Sequence, residues 1–197
     1  MSLFSDLQFR YAVHNLADMP PDRGMEVAFA GRSNAGKSTA INALANRKKL
    51  AFVSKTPGRT QALNFFDMGK QCFLVDLPGY GYAAVPGREQ ERWSELISTY
   101  IKSRNSLKLL IIIADSRQGI TPLDHYLLEW LVPTGKPVHV LLAKADKLTR
   151  QQAAAALKQA TADLARHPVE STVQLFSGLR KTGVREAQAV IAKRLQQ

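Results

Sequence analysis

The chain has 197 residues, 45% of them hydrophobic, and its 27 Lys and Arg outweigh 16 Asp and Glu to give a formal charge of +11. That length suits one well-packed core and is short for two. The longest apolar run, Leu107 to Ala114, is broken by Lys108 and falls short of the ~18 residues of a membrane span, which excludes a helical membrane protein. The single cysteine, Cys72, excludes an internal disulfide and reads as a small core residue in a reducing cytosol. The cationic excess selects an acidic macromolecular partner, most simply nucleic acid.

Residues 1–23 read as an N-terminal arm packed on a single domain of residues 24–197, with Phe4, Phe9 and Tyr11 as anchors and Pro20-Pro21 as its end. The first residues carry neither a basic head nor a long apolar run, so no signal peptide is read and a cytoplasmic monomer is expected. Apolar runs then alternate with helical periodicity. Strands are predicted at 26–30, 62–68, 71–76, 107–114, 137–143 and 172–176, and helices at 37–46, 88–103, 122–132, 150–166 and 184–195. The runs 108–114 and 137–143 are apolar throughout, as strands covered on both faces are. Met68-Gly69-Lys70 reads as a hairpin turn, and Thr149 as the N-cap of the alanine-rich helix after it. The pattern predicts an α/β fold: a six-stranded, mostly parallel sheet with one antiparallel strand and helices on both faces.

Directly after the first of these strands, Gly31-Arg32-Ser33-Asn34-Ala35-Gly36-Lys37-Ser38 fits G-x-x-x-x-G-K-[ST]. A strand, a Gly-rich turn and a helix form the setting in which this pattern binds phosphate. The glycines let consecutive N–H groups point at phosphate oxygens, and the helix adds its positive end. Lys37 is placed to reach the β- and γ-phosphates and the Ser38 hydroxyl to ligate magnesium. Asp76-Leu77-Pro78-Gly79 follows a strand and has the form D-x-x-G, a carboxylate for magnesium through water and a glycine N–H for a γ-phosphate. Ala143-Lys144-Ala145-Asp146 closes the strand 137–143. A carboxylate there accepts from guanine N1–H and the 2-amino group together, and the unmatched polar group rejects adenine by ~10⁴-fold or more. The stem of Lys144 lies over the base plane, and Ser177-Gly178-Leu179 is placed to offer N–H groups to guanine O6. The polar loop 54–61 carries threonines able to complete a magnesium shell.

The ordered set GRSNAGKS, TPGRTQ, DLPGYGYA, AKAD and FSGLRKTG resembles the bacterial EngB (YihA/YsxC) ribosome-biogenesis GTPases of the TrmE–Era–EngA–YihA–Septin-like class, from about Glu26 onward. The resemblance implies a Ras-like fold, GTP hydrolysis with Mg²⁺, binding of ribosomal RNA and the large ribosomal subunit or its precursor, and a link to cell division and septation. By matching position it implies a GTP/GDP contact set of Gly31 to Ser38 with Thr39, then Gly58, Arg59 and Thr60, then Asp76 and Gly79, and finally Lys144, Asp146, Lys147, Phe176, Ser177 and Gly178. Lys37, Thr60 and Gly79 carry the catalytic roles in that carry-over, and Ser38, Thr60 and Asp76 hold magnesium. Two positions depart from the usual pattern: Ala143 replaces Thr or Asn, and Gly178 replaces Ser or Ala.

In Ras-type enzymes a glutamine after D-x-x-G orients the attacking water. Tyr80 stands there, and a phenol with pKa about 10 is a poor base at neutral pH. Slow intrinsic hydrolysis follows, with charge compensation from the partner or from a monovalent cation. Asn34 resembles the potassium-coordinating asparagine of related GTPases, and as a residue type it also suits a turn. Tyr80 and Tyr82 read as partner contacts. Trp93 and Trp130 read as helix–sheet packing, and His14, His125, His139 and His167 are scattered without metal-ligand spacing. The basic residues Lys147, Arg150, Lys158, Arg166, Arg180, Lys181, Arg185, Lys193 and Arg194 face only Asp163, Glu170 and Glu186 in the last quarter of the chain, which puts a basic partner surface there. A small-molecule P-loop kinase is disfavoured by the guanine motif and the lack of a basic lid segment. An RNA-binding module with a vestigial P-loop is disfavoured by intact Lys37, Ser38 and Asp76.

Overall fold

The computed structural model describes residue 4 and residues 7–47, 50, 62–81 and 87–196, with 87–93 described as helix backbone only. The chain runs β1 (Gln8–Val13), β2 (Met25–Gly31), α1 (Lys37–Leu44), β3 (Leu63–Asp67), β4 (Cys72–Asp76), α2 (Gly87–Ser103), β5 (Leu107–Asp115), α3 (Pro122–Leu131), β6 (Val138–Ala143), α4 (Arg150–Leu164), β7 (Ser171–Leu175) and α5 (Val184–Arg194). The strands form one sheet in the order β1-β3-β4-β2-β5-β6-β7. β3 is antiparallel to both of its neighbours, and the remaining pairings are parallel. One strand therefore runs against the rest, as the hairpin at 68–70 predicts.

The count is seven strands and not six. Residues 8–13, read from sequence as part of an arm, pair with β3 from Gln8↔Asp67 to Val13↔Leu63 and form the sheet edge. Phe9, Tyr11 and Val13 do alternate, but a short alternation does not say which strand it joins. Of the anchors, Phe4 is buried, Tyr11 lies against Phe65 with ring centroids 5.0 Å apart, and Phe9 is 58% exposed while meeting Phe66 edge-on.

β5 and β6 are apolar on both sides because helices cover both faces of the sheet. Along β5, Leu109, Ile111 and Ile113 enter the core under α1 and α5, whereas Leu110, Ile112 and Ala114 enter the core under α2, α3 and α4. Fully burying one such side chain stabilises by about 1.5–3 kcal/mol. Cys72 is a buried core residue. Thr149 caps α4, accepting from the Gln152 N–H while the Gln152 side chain accepts from the Thr149 N–H.

At the N-terminal end of β2, Glu26 is 1% exposed and fully engaged. It accepts from Arg104 Nη2 at 2.7 Å and from the Tyr100 hydroxyl at 2.8 Å. Arg104 also donates to the carbonyls of Pro20 and Pro21, which ties the segment before β2 to the α2–β5 turn. Breaking such a buried pair from one side costs about 3–5 kcal/mol.

Candidate functional site

Strand order reverses at β2, which has β4 on one side and β5 on the other. The crevice beyond the carboxyl end of β2 is where open α/β sheets bind ligands. The segment 31–38 occupies it, and α1 begins at Lys37. Gly36 is the N-cap of α1 with φ 112° and ψ 16°, a left-handed conformation that glycine adopts without strain. A Cβ at Gly36 would touch only the Ala143 methyl at 3.6 Å and Lys144 Cε at 3.8 Å. The phosphate turn thus packs directly against the segment read as the guanine motif. Asn34 is also left-handed, at φ 63°, and exposed.

The D-x-x-G segment is joined to this turn by main-chain hydrogen bonds. The Ser33 N–H donates to the Tyr80 carbonyl at 2.9 Å, and the Tyr80 N–H donates to the Gly31 carbonyl at 3.2 Å. Arg32 reaches out to Gln118, Nη1 to Oε1, at 2.9 Å. Lys37 Nζ and the Asp76 carboxylate form an ion pair. Ser38 follows Lys37 in the first turn of α1, half-buried, and Thr39 beside it is exposed. A hydroxyl and a carboxylate at one sheet end are the hard oxygen donors that Mg²⁺ takes, so Ser38 and Asp76 fit that ion. Gly58, Arg59 and Thr60, with the rest of the loop 54–61, lie outside the described residues, as does Tyr82.

Two loops meet at the other end of the crevice. Lys144 is left-handed at φ 61°, and its Nζ donates to the Asn34 carbonyl at 2.6 Å and to Asp115 Oδ2 at 2.9 Å. Asp146 Oδ1 accepts from the Ser177 hydroxyl at 2.6 Å, and Lys147 Nζ lies 3.9 Å from its other oxygen. The Ser177 hydrogen bond is the main reason that the Asp146 carboxyl sits below its usual range, so it is an ionised acceptor at neutral pH. Ser177 is 1% exposed and itself accepts from the Arg180 N–H at 3.1 Å. Phe176 is buried in the core under α1 and α5, and its carbonyl accepts from the Ala145 N–H at 3.1 Å. Its ring is buried, 1% exposed.

Gly178 has a steric reason. A Cβ there would lie 2.9 Å from Thr39 Cγ2 and 3.0 Å from the Thr39 carbonyl oxygen. The 176–178 loop packs against the first turn of α1 too closely for a side chain.

Tyr80 overturns the partner-contact expectation. It is 7% exposed, and its hydroxyl donates to the Asp124 carboxylate, itself 1% exposed. Asp124 closes the capping box of α3, accepting from the Thr121 N–H at 2.7 Å and hydroxyl at 2.6 Å. Burial, and then the Asp124 charge, push the Tyr80 phenol well above its ordinary pKa. The side chain at the glutamine position is neutral and held in the core. The histidines are less scattered than they read: His125 Nδ1 and His167 Nε2 lie 2.7 Å apart in stacked rings. Among the described residues no group of three or more His, Cys, Asp or Glu is placed to hold a metal, and no helix is long and apolar enough to cross a membrane. Trp130 is half-buried against the core of α2, α3 and α4, and the Trp93 side chain lies outside the described residues. Sequence reasoning missed Asp115 and Asp124: each has local partners, Arg117 and Thr121, but what ties them to the site is a contact distant in the chain, with Lys144 and Tyr80.

Sheet order, phosphate turn and paired guanine-side loops define a P-loop GTPase. A family model described as "50S ribosome-binding GTPase" matches residues 26–144. The chain belongs to the EngB family of GTP-binding proteins within that class. It is 51% identical over 193 residues to the "probable GTP-binding protein EngB" of Methylobacillus flagellatus, covering 98% of this chain and 93% of that one. It is 52% identical over 193 residues to the protein of the same name from Azoarcus sp., covering 98% and 92%. Among solved structures, a probable GTP-binding protein engB matches with TM-score 0.70 at 23% identity over 87% of this chain and 98% of that chain. Era in complex with MgGDPNP and nucleotides 1506–1542 of 16S ribosomal RNA matches with TM-score 0.67 at 22% identity over 87% and 57%. At those identities the structural matches show the fold alone.

Proposed function

We propose that the chain is a slow, GTP-controlled switch that binds the large ribosomal subunit or its precursor through ribosomal RNA and assists its assembly. Asp146 carries the reading. Its ionised carboxylate is held by the buried Ser177 hydroxyl, and Lys144, two residues before it, reaches the phosphate turn that carries Lys37. That arrangement suits the N1–H and 2-amino pair of guanine beside a phosphate site. Lys37, Ser38 and the α1 N-terminus bind the phosphates, and Ser38, Asp76 and Thr60 hold Mg²⁺, which when bound offsets phosphate charge. Gly79 senses the γ-phosphate, and Asn34 holds K⁺ when that ion supplies the missing positive charge. Tyr80, buried and neutral, cannot take a proton from water, which is the reason for slow turnover without a partner.

Exposed Lys147, Arg180, Lys181 and Arg185 lie at or just beyond the guanine-side loops. They supply the positive surface that RNA phosphates need, and family membership supports a ribosomal partner. The working unit is one GTP-binding domain of residues 24–197 whose sheet edge is β1 of the preceding segment 1–23, acting as a cytoplasmic monomer. Two measurements test the proposal. Asp146→Asn is expected to move preference from guanine toward xanthine nucleotide. Co-sedimentation with ribosomal subunits is expected to show GTP-dependent, salt-sensitive association with the large subunit; equal association with GTP, GDP and no nucleotide would refute the switch.

A further inference from the structure

The geometry points to Asp115 as a positioning residue for nucleotide binding, a carboxylate that acts only through Lys144 by clamping its ammonium against the phosphate turn. The inference rests on the guanine-nucleotide reading above. Asp115 ends β5 and lies in register with Ala143, the residue before Lys144. The Ala143 carbonyl accepts from the Ser116 N–H at 2.9 Å, so the two strand ends are already tied by main chain. Ala143 has only a methyl group and cannot brace the neighbouring loops by a side-chain hydrogen bond. Asp115 supplies the brace from the adjacent strand.

Its carboxylate is fixed on both oxygens. Oδ1 accepts from the Arg117 N–H at 3.1 Å and from Arg117 Nε at 2.9 Å. Oδ2 accepts from Arg117 Nη2 at 2.7 Å and from Lys144 Nζ at 2.9 Å. The Asp115 side chain is 6% exposed and that of Lys144 is 32% exposed, so a buried anchor holds a half-open amine. The Arg117 hydrogen bonds, helped by Lys144, keep the Asp115 carboxyl far below its usual pKa, so the anchor stays ionised across the working pH range. Lys144 Nζ then reaches the Asn34 carbonyl at 2.6 Å. One ammonium thus joins the end of β5, the guanine-side loop and the phosphate turn, with the Lys144 stem beside Gly36.

A flexible four-carbon side chain held at its far end loses less freedom when a base stacks on it. Asp115 therefore sets how long a purine nucleotide stays, while Asp146 sets which base is chosen. The test measures dissociation of fluorescent GDP from the full chain in wild type, Asp115→Asn, Lys144→Met and the double variant, with thermal melting of each. Asp115→Asn is expected to speed release by about tenfold to a hundredfold, the loss of one charge-assisted hydrogen bond. Its guanine-over-adenine ratio stays at the wild-type value, and in the Lys144→Met background the same change adds less than about twofold. Should Asp115→Asn fail to fold, Asp115→Ser takes its place in the cycle. Additive effects, or wild-type release from the Asp115 variant, overturn the inference alone. A wild-type protein that binds neither GDP nor GTP overturns the guanine reading as well.

Discussion

Tyr80→Phe separates two roles for the residue that follows Gly79. If the phenol takes part in hydrolysis, removing its oxygen slows the chemical step. In the structure the oxygen is buried and donates to Asp124, a buried carboxylate that retains hydrogen bonds from the Thr121 N–H and hydroxyl after the change. A hydrogen bond to a buried charged acceptor contributes about 1.5–3 kcal/mol; the Thr121 bonds keep Oδ2 satisfied while Oδ1 loses its Tyr80 partner, and the loss is taken as about 2 kcal/mol. For a domain of this size that lowers the melting temperature by roughly 4–8 °C. The benzene ring keeps its place in the core under α2, α3 and α4, so no cavity term is added. The assay pairs denaturant unfolding with single-turnover GTP hydrolysis at saturating protein. The expected outcome is a loss of about 2 kcal/mol with a hydrolysis rate within about twofold of wild type. A tenfold slower chemical step at unchanged stability would refute the reasoning and return the phenol to the reaction centre.

Three further outcomes follow from named contacts. Burial alone would raise the Asp22 carboxyl, but hydrogen bonds from the Ser106 hydroxyl and the Ser106 and Asn105 N–H groups, with the Arg104 charge, lower it to about 2. A lowered folded-state pKa contributes stability that is present above about pH 4 and is lost as pH falls toward 2, so Asp22→Asn is expected to flatten that part of an acid-unfolding curve. Gly178→Ala sets a Cβ 3.0 Å from the Thr39 carbonyl oxygen. It is expected to destabilise by about 1–2 kcal/mol, an overpacking cost of about 1–3 kcal/mol partly offset by the stiffer unfolded chain, as read by urea midpoint. Hydrolysis is expected to run faster in potassium than in sodium, and Asn34→Ala to abolish the difference; equal wild-type rates in the two salts would remove K⁺ from the site.

Much of the fold was legible because it is local. The continuous apolar runs of β5 and β6, the N-cap at Thr149 and the turn after Met68 each signal their structure within a few residues. Residues 8–13 were harder, since a short edge strand carries no mark of its partner, and β3 accepts it only once the hairpin with β4 is formed.

The chemistry of the nucleotide site was likewise written contiguously, because backbone N–H groups, a lysine and a hydroxyl act on phosphate from one turn between a strand and a helix. By itself the sequence determined the P-loop at 31–38, the D-x-x-G at 76–79, the Lys144 and Asp146 pair and the cationic balance. Only the tertiary structure decided where the bracing groups point. Tyr80 meets Asp124 across 44 positions, Lys144 meets Asp115 across 29, and His125 meets His167 across 42. Such pairs arise from the packing of helices against a twisted sheet, which brings the ends of distant strands into register and leaves no spacing in the chain to read.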